Sequence, residues 1–306
     1  MKSSIKELSP FVREEYPFSS QYFQQFSDDK SKHNQHYLDE GKGPVVLLIH
    51  GNPTWSFYFR NLIPKLVTQG FRCIVPDHMG CGLSDKPANY PYTLERRISD
   101  VDRILKHLGI LEFNLVVHDW GGAIGLGLAG RMPKRVNTIA ILNSAAFRSK
   151  HIPLSISFLR IPLLGEFLIR ALNIFAIVAI NRAAQIPLSP VVKEGLLFPY
   201  QTWGERIAIW KFVKDIPMGK KHSSYKTLLD VEKNLSHLKQ KKIALFWGER
   251  DFCFNRHFYN RWLDLFPLVK KHQYPKAGHY VLEDAGKEII LDIAKFISEV
   301  EGKDLV

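Results

Sequence analysis

A chain of 306 residues, 45% of them hydrophobic, carries enough apolar material for a large core. It holds neither a low-complexity tract nor an internal repeat, which excludes disordered arrays and solenoids. Three scattered cysteines (Cys73, Cys81 and Cys253) show no metal-ligand spacing and no disulfide framework, so a reduced cytoplasmic protein without metal is expected; the formal charge of +12 comes with no recognised nucleic-acid motif, which argues against nucleic acid as a partner.

The opening segment Met1-Lys2-Ser3-Ser4-Ile5-Lys6-Glu7 lacks the apolar core of a signal peptide. Residues 22–26 and 36–39 flank a polar turn and read as two edge strands, closed by Gly41-Lys42-Gly43-Pro44. Val45-Val46-Leu47-Leu48-Ile49 is a continuous apolar run, the pattern of a strand buried on both faces. His50-Gly51-Asn52-Pro53-Thr54-Trp55 follows, then a helix to about residue 69. Arg72-Cys73-Ile74-Val75-Pro76-Asp77 is the next strand, and Thr93 is placed to cap a helix running to Leu108. The apolar stretches 115–117 and 138–143 are further buried strands. Strands alternating with helices give a parallel, doubly wound sheet.

The alternation stops at about residue 146. From there the sequence is helical and punctuated by Pro153, Pro162, Pro187, Pro190, Pro199 and Pro217, with one long apolar helix expected through 167–180. The sheet resumes with Lys242-Ile243-Ala244-Leu245-Phe246-Trp247. A helix near 256–265, a strand near 271–274 and a helix at 286–300 complete the chain. The expected organisation is a core in two parts, 1–146 and 232–306, interrupted by a helical cap at 147–231.

The chemistry gathers at one strand end. Leu115-Val116-Val117-His118-Asp119-Trp120-Gly121-Gly122 is a β-branched run that ends in charge and passes at once into a Gly-rich helix start, as a nucleophile elbow does. Asp119 holds the nucleophile position, so a covalent ester is expected rather than serine-type acyl transfer. Asp251 follows the strand at 242–247, and His279 lies in the turn Ala277-Gly278-His279-Tyr280. Nucleophile, acid and histidine thus occur in the order of an α/β-hydrolase triad, each after a strand. Glu249, two residues before Asp251, is a second candidate for the acid. Helix N-capping is the other role for an Asp after a strand, but it does not call for a histidine and an acid at two further strand ends. His118 reads as structural, and Trp55 and Phe147 as core or pocket lining.

On these residues, and on His50-Gly51-Asn52-Pro53, the chain resembles the α/β-hydrolase superfamily over nearly its whole length. Within it, the chain resembles the haloalkane dehalogenase-like family with an Asp nucleophile. The resemblance implies an α/β-hydrolase fold, a mostly parallel eight-stranded doubly wound sheet with an inserted helical cap. It also implies roles. Asp119 attacks an electrophilic carbon, and His279, oriented by Asp251, activates a water that cleaves the ester. Asp119 is already ionised at neutral pH, so the histidine acts in the second step. Asn52 and Trp120 take the family's two leaving-group positions, where neutral N–H donors suit developing negative charge, and their backbone N–H groups form the oxyanion hole. Asn143 stands where part of the family carries a Glu as the acid, which leaves that part to Asp251.

Asn143-Ser144-Ala145-Ala146-Phe147, Arg160-Ile161-Pro162-Leu163-Leu164-Gly165, Pro199-Tyr200-Gln201-Thr202-Trp203, Asp215-Ile216-Pro217 and the loop 77–87 resemble the β-lactone decarboxylases of bacterial olefin biosynthesis. That resemblance implies conversion of a cis-3,4-dialkyl β-lactone (an oxetan-2-one) into a cis-alkene and carbon dioxide, without a cofactor. Haloalkane hydrolysis to alcohol and halide uses the same residues and is the alternative, followed by epoxide or ester hydrolysis. An epoxide hydrolase would carry an aromatic residue at position 52 and two cap tyrosines as ring-opening acids; Tyr200 and Tyr225 are the only tyrosines within 147–231.

Charge is uneven along the chain. Residues 147–221 hold eleven Lys and Arg against four Asp and Glu, a net +7. Arg170 and Asn173 make the apolar run within this segment too short and too polar to span a membrane. Its basic surface is expected to face solvent, an anionic membrane surface or, as the olefin resemblance implies, the condensing enzyme, reductase and β-lactone synthetase of the pathway.

Overall fold

The computed structural model describes residues 7–303; apart from Glu7, the leader segment lies outside them. A short helix α1 (Pro10–Glu15) precedes the strands β1 (Ser20–Phe26), β2 (Lys32–Gly41) and β3 (Val45–Ile49). Then come α2 (Leu62–Thr68), β4 (Arg72–Pro76), α3 (Leu94–His107), β5 (Phe113–Asp119), α4 (Trp120–Arg131) and β6 (Val136–Ser144). Six helices follow: α5 (Leu154–Leu159), α6 (Leu164–Arg170), α7 (Ile174–Arg182), α8 (Pro190–Leu197), α9 (Ile207–Lys214) and α10 (Tyr225–Asn234). The chain closes with β7 (Lys242–Gly248), α11 (Arg256–Leu265), β8 (Lys270–Tyr274), α12 (Val281–Asp284) and α13 (Gly286–Glu301).

Among the described residues the strands form one eight-stranded sheet in the order β1-β2-β4-β3-β5-β6-β7-β8. Its first two pairings are antiparallel and the rest parallel. Every residue of β5 is buried, because helices cover both faces and leave no polar side for the strand to alternate with. Two apolar clusters result, one on each face. Ile98, Val101 and Ile104 of α3 pack with Leu115 and Val117 on one face, and Ile293 and Ile297 of α13 pack with Val116 and Leu142 on the other. The expected cap at the start of α3 is present, with Thr93 Oγ1 accepting from the Arg96 N–H at 3.3 Å.

The apolar run 167–180 is not one helix. It is divided between α6 and α7, which meet at a 65° bend where Asn173 takes the left-handed conformation at φ 53°. The broken ends are satisfied from outside the run. Asn173 Nδ2 donates to Tyr200 O at 3.1 Å, and Arg206 Nη1 donates to the carbonyls of Arg170 (2.8 Å) and Ala171 (3.0 Å). No single helix among the described residues is long and apolar enough to cross a membrane.

Helices α5–α9 form a lid over the carboxyl ends of β3, β5, β7 and β8. Helix α10, although within 147–231, packs on α4 and α3 through Leu228 and Val231 in the same apolar cluster as Ile98. The lid is fastened to the core at several points. Trp55 Nε1 donates to Gly195 O at 2.9 Å. The amides of Gln185 and Ile186 donate to the Asp284 carboxylate at 2.8–2.9 Å. The buried guanidinium of Arg97 donates to Asp215 Oδ2 at 2.9 Å.

Candidate active site

β5 ends at Asp119 with φ 52° and ψ −125°, a backbone conformation that costs a non-glycine residue about 1–3 kcal/mol and persists only where its surroundings enforce it. Here they do. Any Cβ at Gly51 would overlap the Asp119 carboxylate, and one at Gly122 would overlap Ser144 Oγ. Ser144 Oγ in turn donates to the Asp119 carbonyl. Beyond the first amide of α4 the Asp119 side chain makes no capping bond to that helix; the turn presents it to the cavity instead.

The Asn52 backbone N–H donates to Asp119 Oδ1 at 2.7 Å, and the Trp120 backbone N–H bonds the same carboxylate. Oδ2 faces His279, whose Nε2 lies 3.6 Å away. Burial pushes the Asp119 carboxyl above its ordinary value, while the His279 charge and the two backbone N–H groups pull against that shift. One oxygen is therefore held by backbone donors, and the other is presented across the site.

On its far side His279 Nδ1 meets Asp251 Oδ2 at 2.8 Å. Burial alone would lower this histidine; the charge and hydrogen bond of Asp251, with the charge of Asp119, carry it above its ordinary value. Asp251 is itself fixed, since Oδ1 accepts from the amides of Cys253 (2.6 Å) and Phe254 (3.0 Å). Glu249, the other candidate acid, bonds Gln273 Nε2 at 2.6 Å on the exposed surface. Asp251 is the carboxylate brought to the histidine.

Two further residues support the site, one of them, Asn143, without a role in the sequence reading. Asn143, noted there only as an absent acid, donates from Nδ2 to Asp251 Oδ2 (3.0 Å) and accepts on Oδ1 from the Gly248 N–H (2.8 Å). It stitches the ends of β6 and β7 together and orients the acid. His118, read as structural, donates from Nε2 to the His279 carbonyl at 2.9 Å. Burial holds it well below the ordinary histidine value, so a neutral ring supports the turn that carries His279. An amide or imidazole at a buried strand end is the signal for both, but it does not name the partner.

Asn52, Asp119, Trp120 and His279 line one cavity of about 350 Å³, whose remaining walls are mostly apolar and include Phe147, Ile156, Phe158 and Phe175. The Trp120 ring packs on Phe212 with centroids 5.3 Å apart. Asn52 Nδ2 makes only a long contact to Ile209 O, 3.4 Å, and its Oδ1 has no partner. Trp55 is fully buried away from the cavity, so of the two aromatic candidates Phe147 alone lines it. No tyrosine does, and position 52 is Asn rather than the aromatic residue expected of an epoxide hydrolase. Among the described residues no group of three or more His, Cys, Asp or Glu is placed to hold a metal ion.

A model for the alpha/beta hydrolase fold matches residues 44–161. The chain is 41% identical over 273 residues to a cis-3-alkyl-4-alkyloxetan-2-one decarboxylase of Shewanella oneidensis, covering 87% of this chain and 86% of that one. It is 37% identical over 274 residues to a decarboxylase of the same name from Xanthomonas campestris, covering 85% and 91%. The chain belongs to the oxetan-2-one decarboxylase family, within the haloalkane dehalogenase-like α/β hydrolases. The fold is shared with the haloalkane dehalogenase DbeA of Bradyrhizobium elkani, at a TM-score of 0.82 and 24% identity over 93% of this chain and 99% of that one. That likeness speaks to the fold alone.

Proposed function

We propose that this chain decarboxylates cis-3-alkyl-4-alkyloxetan-2-ones, giving a cis-alkene and carbon dioxide in the making of long-chain olefins. The observation that carries the substrate is the 41% identity with the Shewanella decarboxylase across 87% of the chain. Asp119, His279 and Asp251 are the residues to which this reading gives the chemistry, with Asn52 and Trp120 as the donors that receive negative charge.

In this reading Asp119 Oδ2 displaces the ring oxygen at C4 with inversion, forming an ester and opening the lactone to a carboxylate. The electron pair of the C3–carboxylate bond then becomes the second C3–C4 bond, carbon dioxide leaves, and Asp119 departs as its carboxylate. Inversion followed by anti loss is a net syn elimination, which turns a cis-lactone into a cis-alkene. No water, oxidant or reductant enters. Asn52 and Trp120 stabilise charge developing on the ring oxygen. A protonated His279, 3.6 Å from Asp119, favours departure of the aspartate as an anion, and Asp251 keeps the imidazole charged and aimed.

Haloalkane hydrolysis is the second reading, favoured by the pair of neutral donors, Asn52 and Trp120, that line the cavity with Asp119. It requires a neutral His279 to take a proton from water. Contacts beyond the small hydrophobic substrate fall, in either reading, to the basic outer face of the lid, which suits a membrane surface or the enzymes that supply the lactone. The test offers purified protein a cis-dialkyl β-lactone and a 1-bromoalkane in parallel, following alkene by gas chromatography and bromide by an ion-selective electrode. Alkene with little bromide supports the decarboxylase. Bromide without alkene overturns it in favour of a dehalogenase.

A further inference from the structure

We propose that the outer face of α5–α7 docks on an anionic lipid bilayer, so that the cavity opens into the membrane rather than into water. The proposal rests on the decarboxylase reading only for the identity of what passes through the mouth.

Twenty large hydrophobic side chains are exposed among the described residues, and ten of them fall between positions 154 and 186. Exposed apolar residues scattered singly are ordinary; half of them gathered on three short helices and the turns that flank them are not. Leu154 and Leu163 are 89% and 82% exposed. Leu163 sits at φ 63°, a backbone conformation that glycine favours, yet the chain places a leucine there and turns it to solvent. Phe158 and Val178 are half exposed and also line the cavity. The patch and the cavity mouth are therefore continuous.

Together α6 and α7 meet the length and composition of a membrane span, but the 65° bend between them prevents a straight crossing. Two short apolar helices at such an angle suit the plane of the headgroup–acyl boundary. Charge selects the kind of surface. Residues 147–186 contain five Lys and Arg against a single acid, Glu166, and Glu166 is already paired with Arg170. The surplus includes the exposed side chains of Lys150 and Arg182, a charge that suits anionic headgroups. The same surplus disfavours a second copy of the chain, because a two-fold dimer through this face would set its positive charge against itself. A lactone or alkene with two alkyl chains partitions into lipid, so a mouth at the bilayer gives entry and exit without passage through water.

The test is flotation of the substrate-free protein with vesicles of phosphatidylcholine alone or with roughly one-third phosphatidylglycerol. The expected result is binding to the anionic vesicles at least about tenfold stronger than to the neutral ones and weakened by about 0.5 M salt. The double variant Leu163→Glu/Phe167→Glu, at two exposed positions that do not line the cavity, is expected to lose binding while keeping its thermal transition and its rate on a soluble short-chain substrate. No flotation by the wild type overturns the proposal, as does flotation that the double variant retains. A wild-type oligomer that the double variant dissolves, seen by sedimentation velocity without vesicle binding, assigns the face to a second copy and also overturns it. Capture of a soluble protein through this face, with vesicles ignored, does the same. Since the readout is lipid binding without turnover, failure here leaves the decarboxylase reading standing, and a dehalogenase outcome leaves the membrane proposal standing.

Discussion

Asp119 treats its two oxygens unequally. Oδ1 is bonded by the Asn52 N–H at 2.7 Å, and Oδ2 lies 3.6 Å from His279 Nε2, so in the proposed mechanism the attacking oxygen is selected before substrate arrives. Replacing Asp119 by Ala removes the proposed nucleophile, a buried carboxylate. Turnover is expected to fall about 10⁴-fold or more with no loss of thermal stability, which steady-state kinetics and a thermal melt check together. His279 supplies a second test, on pH. Asp251 and Asp119 raise its proton affinity against the opposing effect of burial, so it keeps its charge to a higher pH than an ordinary histidine. In the proposed mechanism that charge helps Asp119 depart from the C4 ester. The elimination rate is expected to be full below the raised value and to fall as pH rises through it. Hydrolysis of a haloalkane needs the neutral ring and shows the opposite limb, so a kcat–pH profile separates the readings. The sequence displayed Asp119, Asp251 and His279 because each follows a recognisable strand. It left Asn143 unassigned, since its hydrogen bonds cross from β6 to the end of β7, over one hundred positions away.

At the scale of elements, strands announced themselves better than lid helices. β3 and β5 are runs of buried aliphatic residues whose only solution is a covered parallel sheet. The run at 167–180 is equally apolar, but its division into α6 and α7 depends on Tyr200 and Arg206, which periodicity within the run does not contain. The loop after β4 is organised by one carboxylate. Asp77 Oδ2 accepts from His36 Nδ1 (2.8 Å) and the Leu83 N–H (2.9 Å), and Oδ1 accepts from the Ser56 N–H (2.7 Å). Burial alone would raise this carboxyl; His36, His50 and the backbone donors bring it down to about 2. A depressed carboxylate contributes stability that is complete above its unfolded value of 3.8 and lost as pH falls towards about 2. Denaturant melts over that acid range are expected to show the loss in wild type and to flatten in Asp77→Asn. That variant should be about 3 kcal/mol less stable at neutral pH, as one of the two acceptor oxygens becomes an NH2 group set against N–H donors and the charge facing His36 is lost.

For the whole molecule, the decisive relation is between lid and core. The Arg97–Asp215 pair is buried on both sides, with the guanidinium stacked 3.7 Å from the centroid of Phe212, the residue against which Trp120 packs. Arg97→Met strands Asp215 without its partner. The expected cost is about 3–5 kcal/mol, measured by chemical denaturation, with substrate affinity reduced as Phe212 and Trp120 lose their support. The cavity itself was not legible in the sequence. Its roughly 350 Å³ are enclosed by side chains from β5, the lid and the loop at 252–254, brought together only by the fold. The apolar and basic character of the lid was legible; its orientation was not.

The fastenings of the lid are unevenly placed. Tyr280 N–H donates to Ala183 O at 2.8 Å, Asp284 holds residues 185 and 186, and Arg97 holds Asp215, whereas α5 and α6 pack chiefly on other lid helices. Such a flap is expected to swing at α5 and α6 while the end next to His279 stays still. Amide protons in α5 and α6 should therefore exchange with solvent far ahead of those in α7 and α9. The geometry at His279 is then expected to survive each opening, and the flap's swing, rather than bond breaking, is expected to set the pace for the longest substrates. A turnover rate that declines as added sucrose or glycerol thickens the solvent is the kinetic mark of that arrangement.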